Sequence, residues 1–574
     1  MFKKALACHQ VGNLKEAERL YRRLLTRDAR HTDAMHLLGL IVSEQGEHEQ
    51  AIRLIGRASQ LRPDTPLYLA NLGLALRRAG KLEEAVDRYQ RAIELQPGNA
   101  STHFKLGSAL RDLRLIPEAE QAYRSATALD PGHLEAHYEH ANTLHQLNRY
   151  AEAIDEYRLV IGLDPLHAEA HFNLAVTLML EQRIEEAENA YRRALELHPD
   201  HAQAFNNLGH ILQAKGRFEE ALQCYRQSLR INPSYIEAHY NLGVALQGVD
   251  RIEESAEAYR NVLALDSCHV DAINNLGSLH LALNELPEAI ECYQRAVDLS
   301  PEHHDAPWNL GLAHLVLGHW EEGWKGYEWR FRMNPKLRKD LPKPQWRGEP
   351  LQGKTVLLVA EQGLGDTLQF VRYRHELEKR GAKALLDVQE RLKPLLGTCA
   401  DEPYDYYAHM MSLPGLVGGE ILAQIPYLSV PPADLGPGFK VGLCWSGNAA
   451  YKNNRLRSML EQDTLPLRNI EGLRLFDLQQ KDGDTLVGTA SMVAALDLVI
   501  TVDTMIAHLA GALGRPVWNM LCFAADWRWM LDREDSPWYP NMRLFRQTSR
   551  GDWEGVVMRV REELCRMMQS VTTT

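Results

Sequence analysis

The sequence lacks features that mark membrane and secreted proteins. No uninterrupted apolar run approaches the roughly 18 residues that a membrane-spanning helix needs. Lys3 and Lys4 are not followed by the apolar stretch of a secretory signal. The eight cysteines are scattered without a C-x-x-C pair, which argues against a disulfide framework or a cysteine zinc site and indicates free thiols. We therefore expect a cytoplasmic protein without a transmembrane segment.

The chain also lacks an excess of positive charge. Lys and Arg together number 64 and Asp and Glu 76, which gives a net charge of −12. Nucleic acids and anionic membranes attract basic surfaces, so neither is an expected partner. Hydrophobic residues make up 45% of the 574 residues, an ordinary value for a globular protein of two or more folding units.

A 34-residue period runs through the N-terminal half. It is carried by the prolines Pro63, Pro97, Pro131, Pro165, Pro199, Pro233, Pro301 and Pro335. The tyrosines Tyr21, Tyr89, Tyr123, Tyr157, Tyr191, Tyr225, Tyr259, Tyr293 and Tyr327 keep the same step, and Leu-Gly pairs and alanines follow in phase. A fixed period of this length is typical of helical-repeat proteins.

The period predicts two short antiparallel helices in each repeat. Glycine and alanine allow the helices to approach closely, tyrosine is expected to fill the gap between neighbouring repeats, and proline ends the second helix. These columns resemble the tetratricopeptide repeat (TPR). The predicted fold of residues 1–335 is therefore an α-solenoid, a TPR superhelix of some nine units.

The sixth position of each repeat usually faces the inner groove of such a superhelix. Asparagine predominates there, at Asn71, Asn173, Asn207, Asn241, Asn275 and Asn309, with Lys105 and Glu139 as exceptions. An asparagine amide donates and accepts, so it binds a peptide backbone without selecting its side chains. In this respect the array is similar to that of the O-GlcNAc transferases, which implies a protein or peptide acceptor in the groove. The alternative is that asparagine is simply common at this position.

Three histidines, His133, His137 and His140, lie close together in sequence. A 34-residue step, or a multiple of it, joins a histidine column at one repeat position: His103, His137, His171 and His239. Periodic packing explains these histidines better than metal ligation does, so no metal site is predicted.

The pattern changes after the last repeat. Trp320, Trp324, Tyr327 and Trp329 predict an aromatic stripe that caps the end of the superhelix. Residues 336–350 are rich in lysine and proline and are predicted to be a linker. An α/β region follows, predicted as a shortened Rossmann-like unit at 351–437 and a second, donor-binding Rossmann-like unit at 438–574.

The first unit begins with a β-branched apolar run at 354–360, which predicts a buried parallel strand. A turn with Gly363 and Gly365 leads into a helix predicted at 367–380 and a second strand at 384–388. In the second unit, strands are predicted at 441–445, 473–478, 495–502 and 516–522, with a helix after Asp503-Thr504 and a final helix at about 553–569.

Several of these segments carry a resemblance. EQGLGD, VGLCWSGN, the RLRS loop, DLVITVDTMIAHLAGALGRPVW and DWRW…SPWYP…RLFRQ resemble the C-terminal domain of bacterial TPR glycosyltransferases. That domain is similar to the lipopolysaccharide heptosyltransferases (glycosyltransferase family 9). The resemblance covers about residues 345–550. It implies a GT-B fold of two Rossmann-type units and inverting, metal-independent transfer from a nucleotide-diphosphate sugar, with no separate cofactor.

The resemblance also implies residue roles. An inverting transfer needs a carboxylate that takes the acceptor proton, and the family's Gly-Asp aspartate falls on Asp366. The leaving diphosphate needs cations and backbone amides. The residues expected to bind the donor are Gly363, Gly365, Ser446, Asn448, Lys452, Arg455, Arg457, Asp503, Thr504, Met505 and His508.

Five of these residues also have a structural interpretation. Asp366 and Asp503 are in position to cap helices, Arg455 and Arg457 to lie in a solvated loop, and His508 to pack in a core. Two functions therefore remain open: a glycosyltransferase whose repeats recruit the acceptor, and a non-catalytic TPR interaction scaffold with a degenerate transferase-like domain. The sequence specifies neither the sugar nor the acceptor.

Overall fold

The structure is a computed structural model, and it describes residues 1–397, 402–448, 454–479 and 484–572. The chain forms two compact units, Met1–Asp250 and Arg251–Thr574, which we call the N-terminal and C-terminal units. Within the described residues, no helix is both long enough and apolar enough to cross a membrane.

The N-terminal unit is an α-solenoid built from consecutive helix pairs, as the 34-residue period predicts. Its helices are α1 (Phe2–Gln10), α2 (Leu14–Leu25), α3 (Thr32–Glu44), α4 (His48–Leu61), α5 (Pro66–Arg78), α6 (Leu82–Leu95), α7 (Ala100–Asp112), α8 (Ile116–Leu129), α9 (Leu134–Gln146), α10 (Tyr150–Leu163), α11 (Ala168–Leu180), α12 (Ile184–Leu197), α13 (Ala202–Ala214), α14 (Phe218–Ile231) and α15 (Ile236–Gly248).

The tyrosine column packs against the glycine column inside each repeat. A Cβ atom added to Gly209 would lie 2.7 Å from the Tyr225 ring, closer than any real contact allows, and Tyr225 is fully buried. Glycine therefore allows the two helices of one repeat to approach. The ring of each such tyrosine thus packs against the glycine of its own repeat. The hydroxyl also reaches the next repeat, as where Asn207 Nδ2 donates to Tyr191 OH over 3.2 Å.

The periodic histidines have structural partners. Each member of the predicted column lies within hydrogen-bonding distance of the carbonyl oxygen of the proline six residues earlier, as in the pairs His103–Pro97, His137–Pro131, His171–Pro165 and His239–Pro233. A carbonyl only accepts, so the ring nitrogen donates. Among the described residues, no group of three or more histidine, cysteine or acidic side chains is arranged to hold a metal ion.

A second histidine column caps helices and was not predicted. In this column, ring Nδ1 accepts the backbone N–H three residues later, at His31, His133, His167 and His201 of the N-terminal unit and at His269 and His303 of the C-terminal unit. Histidine is not a usual N-cap residue, so no motif in the sequence indicated these caps. An Nδ1 acceptor requires a ring without a proton at that atom.

The C-terminal unit begins with helices that continue the repeat pattern. They are α16 (Ile252–Leu265), α17 (Val270–Ala282), α18 (Leu286–Leu299), α19 (Ala306–Leu317), α20 (Trp320–Tyr327) and α21 (Arg330–Met333).

Two parallel sheets follow these helices. The first has the order β2-β1-β3, with β1 (Thr355–Val359), β2 (Lys383–Asp387) and β3 (Tyr406–His409). The second has the order β5-β4-β6-β7-β8, with β4 (Lys440–Cys444), β5 (Arg474–Asp477), β6 (Leu498–Val502), β7 (Val517–Leu521) and β8 (Met542–Arg546). The helices of this region are α22 (Leu364–Phe370), α23 (Tyr373–Lys379), α24 (Lys393–Leu396), α25 (Leu413–Val417), α26 (Asn454–Arg457), α27 (Leu465–Arg468), α28 (Leu486–Ala494), α29 (Met505–Ala512) and α30 (Trp553–Thr572).

The predicted strands are confirmed at β1, β2, β4, β5, β6 and β7, with ends shifted by up to three residues. Strands β3 and β8 were not predicted. The single helix predicted at 367–380 is wrong, since α22 starts earlier, at Leu364, and is separate from α23. Arg372 lies at the break. Its guanidinium turns inward and donates to the carbonyls of Gln369, Leu422 and Trp538, over 2.6–2.8 Å.

The aromatic stripe does not cap a free solenoid end. Trp324 and Tyr327 are buried, and their rings lie 5.3 and 5.8 Å from the ring of Trp527, which lies between β7 and β8 of the second sheet. The segment predicted as a linker is also partly structured. Trp346 is buried, and its backbone N–H donates to Tyr407 O of β3 over 2.8 Å. Both segments therefore join the last repeat to the α/β region.

We predict that Gly209→Ala destabilises the N-terminal unit by about 1–3 kcal/mol, the usual effect of overpacking, because its Cβ would collide with Tyr225. Gly98→Ala is the matched control, since a Cβ there meets nothing within 4 Å. Thermal unfolding of the full-length variants measures the difference. Equal melting temperatures for the two variants would show that the glycine contact is not required.

We also predict that acid destabilises the N-terminal unit through His36. Burial lowers the pKa of His36 from 6.5 to about 4, and its Nε2 lies 2.7 Å from Asn71 Nδ2. The unfolded chain takes up a proton below about pH 6.5 while the folded chain does not. Stability is therefore complete above pH 6.5 and is lost as the pH falls toward 4, by about 3 kcal/mol for a shift of this size.

The measurement is the melting temperature as a function of pH for wild type and His36→Gln. The glutamine does not titrate, so its profile should be flatter between pH 6.5 and 4. His210→Gln is the control, because His210 is exposed. If His36→Gln and wild type have parallel profiles, His36 does not cause the acid sensitivity.

Candidate functional site

The strand orders place two crevices at the carboxyl ends of the sheets. In open parallel sheets, ligands bind where neighbouring strands send their connections to opposite sides. In the first sheet that point lies between β1 and β3, and in the second between β4 and β6. Ser446 follows β4, and Asp503 and Thr504 follow β6, so these predicted donor residues lie at the second crevice.

The first turns of α22 and α29 meet in the C-terminal unit. A Cβ added to Gly365 would lie 3.0 Å from His508 Cδ2 and 3.4 Å from the Met505 Cα. Glycine at 365 therefore allows the helix that follows β1 to pack on the helix that follows β6. The contact brings the predicted residues of the two sheets into one place.

Asp366 has partners at both carboxylate oxygens. Oδ2 accepts the Gly363 backbone N–H over 2.8 Å, which caps α22, and Oδ1 accepts from Arg528 Nη2 over 2.6 Å. Burial raises the pKa of Asp366, and the Arg528 guanidinium opposes that rise. The capping interpretation is thus correct for one oxygen, while the other faces a cation.

Arg528 connects two acidic residues and acts through its charge on a third. Its Nη1 donates to Asp526 Oδ1 over 2.8 Å, while its Nη2 donates to Asp366. Burial, together with the charge of Asp526, raises the pKa of Asp503 to about 6, while Arg457 and Arg528 act in the opposite direction. Asp503 therefore changes protonation state close to neutral pH.

His508 is buried beside this cluster. Its Nδ1 lies 3.0 Å from the Tyr539 hydroxyl, and its ring stacks on Trp529 with centroids 5.5 Å apart. Burial lowers its pKa well below 6.5, and the neighbouring arginines Arg528 and Arg457 lower it further. The imidazole is accordingly neutral at pH 7, and the core interpretation describes its present contacts.

Thr504 forms the cap of α29. Its hydroxyl accepts the Ile506 backbone N–H over 3.2 Å and lies 3.1 Å from the Thr501 hydroxyl. The side chain is thus already bonded within the protein. An anion would instead bind at the positive N-terminal end of α29, beside half-buried Met505.

The turn after β4 lies beside α26. Gln479 accepts from the Ser446 backbone N–H and donates to its carbonyl, over 3.2 and 2.9 Å. A Cβ on Gly447 would lie 3.0 Å from Arg457 Nη2, so this guanidinium rests on the turn.

Three further predicted donor residues belong to this region. Asn448 and Arg455 are exposed, the latter on α26, and Lys452 lies outside the described residues. Of the two predicted loop arginines, it is Arg457 whose charge acts on the pKa values of Asp503 and His508.

Sequence reasoning missed Arg528, Asp526 and Tyr539. The signal was present in the tryptophan- and arginine-rich block at 526–529, which carries part of the resemblance. No role follows from the sequence alone, since Arg528 and Asp366 are 162 residues apart.

A second buried ion cluster fills the crevice of the first sheet. Arg330 of α21 donates through Nη2 to Glu361 Oε1 over 2.9 Å and to Ser412 Oγ over 2.7 Å. His409 Nδ1 lies 2.8 Å from the other Glu361 oxygen, and the side chains of Arg330 and Glu361 are almost fully buried. The last helix before the α/β region thus inserts a cation between the ends of β1 and β3.

We predict that Arg330→Met destabilises the C-terminal unit by about 3–5 kcal/mol, because it leaves the buried Glu361 carboxylate without its cation. Arg330→Met/Glu361→Gln should recover part of that loss. Arg332→Met is the control, since Arg332 is exposed and its ion pair with Glu302 is worth at most about 1 kcal/mol. Denaturant unfolding gives the free energies, and a double variant no more stable than Arg330→Met would contradict the ion-pair assignment.

The sixth-position asparagines, which we call the asparagine ladder, form hydrogen bonds within each unit. The Nδ2 atom donates from Asn173 to Tyr138 OH, from Asn241 to Asn206 Oδ1, from Asn275 to Tyr259 OH and from Asn309 to Asn274 Oδ1, over 3.0–3.3 Å. All six predicted groove asparagines are half-buried. Their amide nitrogens therefore form hydrogen bonds between neighbouring repeats of the array.

A cavity of about 600 Å³ lies on the N-terminal unit, where the ladder is interrupted. Its lining includes the ladder positions Glu139 and Asn173, with Arg111, Asn142 and Tyr157. Arg111 pairs with Glu139. Two of the sixth-position side chains thus do line a concave surface.

Comparison with known proteins identifies the repeats. Models described as "TPR repeat" match residues 73–113 and 209–249, and models described as "Tetratricopeptide repeat" match residues 9–72, 104–168, 138–202, 190–223 and 270–303. The N-terminal part of the chain, about 300 residues, is therefore a tetratricopeptide-repeat scaffold.

One curated relative is Protein FlbA of Caulobacter vibrioides, 28% identical over 306 residues. The match covers 42% of this chain and 51% of FlbA, so the chain spans about half the length of that relative. Among solved structures, YrrB, a TPR protein with an unusual peptide-binding site, is 22% identical, with 33% of this chain and 96% of YrrB covered and a TM-score of 0.31. MamA is 23% identical, with 28% of this chain and 95% of MamA covered and a TM-score of 0.28.

Proposed function

We propose that the chain is an inverting, metal-independent glycosyltransferase. It transfers a sugar from a nucleotide-diphosphate sugar to a protein or peptide acceptor recruited by the TPR array, with its two sheets arranged as in the GT-B fold. The observation that carries the proposal is the meeting of α22 and α29, which gathers Asp366, Asp503, Arg457 and Arg528 at the carboxyl ends of two parallel sheets.

The donor belongs at the second sheet in this proposal. The N-terminal end of α29 and the Arg457 guanidinium bind the diphosphate, since both favour a negative charge. Asp503 accepts hydrogen bonds from sugar hydroxyls. As the bond from the anomeric carbon to the diphosphate breaks, the leaving oxyanion gains a full charge, which these groups stabilise.

Asp366 acts on the acceptor. The acceptor hydroxyl attacks the anomeric carbon and its proton passes to Asp366 Oδ1. That oxygen now accepts from Arg528, so Arg528 must turn away when the acceptor binds. Asp526 still pairs with the Arg528 guanidinium and holds it near the site, where the guanidinium also stabilises the leaving diphosphate.

A TPR scaffold without catalysis is the second candidate, and a specific observation favours it. Both oxygens of Asp366 have protein partners, the Thr504 hydroxyl caps α29, and His508 is buried against Tyr539. In that case these side chains only join the two sheets, and the groove of the repeats carries the function.

Donor binding separates the two candidates. We predict that one member of a panel of nucleotide-diphosphate sugars raises the melting temperature by mass action. Calorimetric titration should then show that Arg457→Gln weakens binding by about 1–3 kcal/mol for a lost charge-assisted bond. Lys440→Gln is the control, because Lys440 lies at the amino end of β4 and away from the crevice. A wild-type protein that binds no nucleotide sugar would leave the scaffold as the function.

Turnover then tests the base. Asp366→Asn keeps the shape of the side chain and removes the carboxylate, so donor affinity should stay close to wild type while the rate falls by about 10²–10⁴-fold. Normal turnover of Asp366→Asn, together with normal donor binding, would reduce Asp366 to a helix cap and leave the transferase itself intact.

A further inference from the structure

A cavity of about 700 Å³ lies in the C-terminal unit, away from Asp503 and α29. Helix α20 forms one side, the segment from Arg338 to Arg347 forms another, and the loop after β3 forms the third. We call it the junction pocket, since the last repeat and the first sheet meet there. Its volume lies within the range of about 300–1,000 Å³ that small-molecule sites occupy.

The inner wall of the junction pocket is formed by apolar side chains and by glycine backbone. Trp324, Trp346, Met411 and Leu416 supply the apolar surface. Gly418 adds a bare stretch of backbone, and a Cβ built there would meet nothing within 4 Å. This wall suits the apolar or aromatic body of a ligand.

One buried donor in this wall has no acceptor. Trp324 is 4% exposed, and its Nε1 has no hydrogen-bond partner. The carbon bonded to that nitrogen, Cδ1, lies 4.0 Å from the Cβ position of Gly419, which lines the pocket. The other indole of the wall differs, because Trp346 Nε1 donates to Glu349 O over 2.8 Å. Trp324 Nε1 is itself closed to solvent, so the Trp324 indole reports on a ligand at this wall without donating to it.

The rim of the pocket is positively charged. Lys325, Arg338 and Arg347 lie in the lining, in a chain whose net charge is −12. Of the two acidic lining residues, Glu328 accepts from the buried Arg330 and from the Ser412 hydroxyl, each over 2.7 Å. Among the remaining charges in the lining, one carboxylate, Glu321, is opposed by three cations. The electrostatic potential at the rim therefore favours an anion.

We propose that the junction pocket binds a small molecule that carries a carboxylate or phosphate group on an apolar or aromatic body. The oxyanion pairs with Lys325 and Arg347, while the body packs on the apolar wall beside the Trp324 indole. The site is distinct from the donor crevice and does not depend on the proposed transferase.

Selective ¹⁵N labelling of the indole groups provides a direct readout in the full-length protein. Phenyl phosphate and phenylacetate are the two oxyanion probes, and benzyl alcohol and benzylamine are their neutral and cationic controls. We expect a saturable shift of the Trp324 indole signal, which Trp324→Phe identifies by its loss, with either oxyanion probe. Binding of only one of the two probes identifies the oxyanion as phosphate or carboxylate.

Charge variants test the recognition. Lys325→Gln/Arg347→Gln should weaken the oxyanion probe by roughly 3–10-fold, the effect of two exposed ion pairs. Lys336→Gln/Lys343→Gln is the matched control, because both lysines belong to the same part of the chain and do not line the pocket. Asp503→Asn should retain full probe binding.

Four results would overturn the proposal. They are the absence of a saturable Trp324 shift with both oxyanions, equal binding of the alcohol or the amine, equal weakening by the two double variants, and a shift of the Trp529 indole in place of Trp324. The last result would assign the probe to the crevice beside His508, on which the Trp529 ring stacks.

Discussion

The contact of Arg528 with Asp366 is the interaction on which the α/β region depends. One guanidinium, almost fully buried, pairs with a carboxylate that caps the first helix after β1 and with a carboxylate of its own loop after β7. Loss of the Arg528 guanidinium would leave two carboxylates without their cation, whereas a change at Asp366 leaves Arg528 paired with Asp526. The pair joins the first helix after β1 to the loop after β7, and in the proposed reaction it occupies the place where the acceptor approaches Asp366.

Gly365 is the steric counterpart of this ion pair. It allows α22 to touch α29 at His508, where a Cβ would lie only 3.0 Å from the imidazole ring. The same residues can therefore have both a structural role and the proposed catalytic role. The contacts that place Asp366, Asp503 and Arg457 near each other are the same contacts that close the fold, and the proposed chemistry requires that Arg528 exchanges one of them.

The repeats show which structural features a periodic sequence can predict. The helix pairs, their glycine contacts and the structural role of the His103 column could be predicted, because each rests on contacts within one or two repeats. The close contact of Tyr225 with Gly209 inside one repeat was not predicted, since the period does not say which neighbours a side chain touches. The capping histidines, such as His133, were missed because a histidine cap depends on ring geometry and protonation, which no sequence column records.

The sequence by itself determined the α-solenoid, the position of most strands along the chain and the location of the glycine turn and the Asp503 helix start, because these follow from local period and composition. The tertiary structure alone decided which charges meet. Arg528 and Asp366 are 162 residues apart, and Arg330 reaches Glu361 only because α21 packs on the first sheet. The pKa of Asp503 near 6 likewise arises from burial and from Asp526 beside it, and both exist only once the chain has folded.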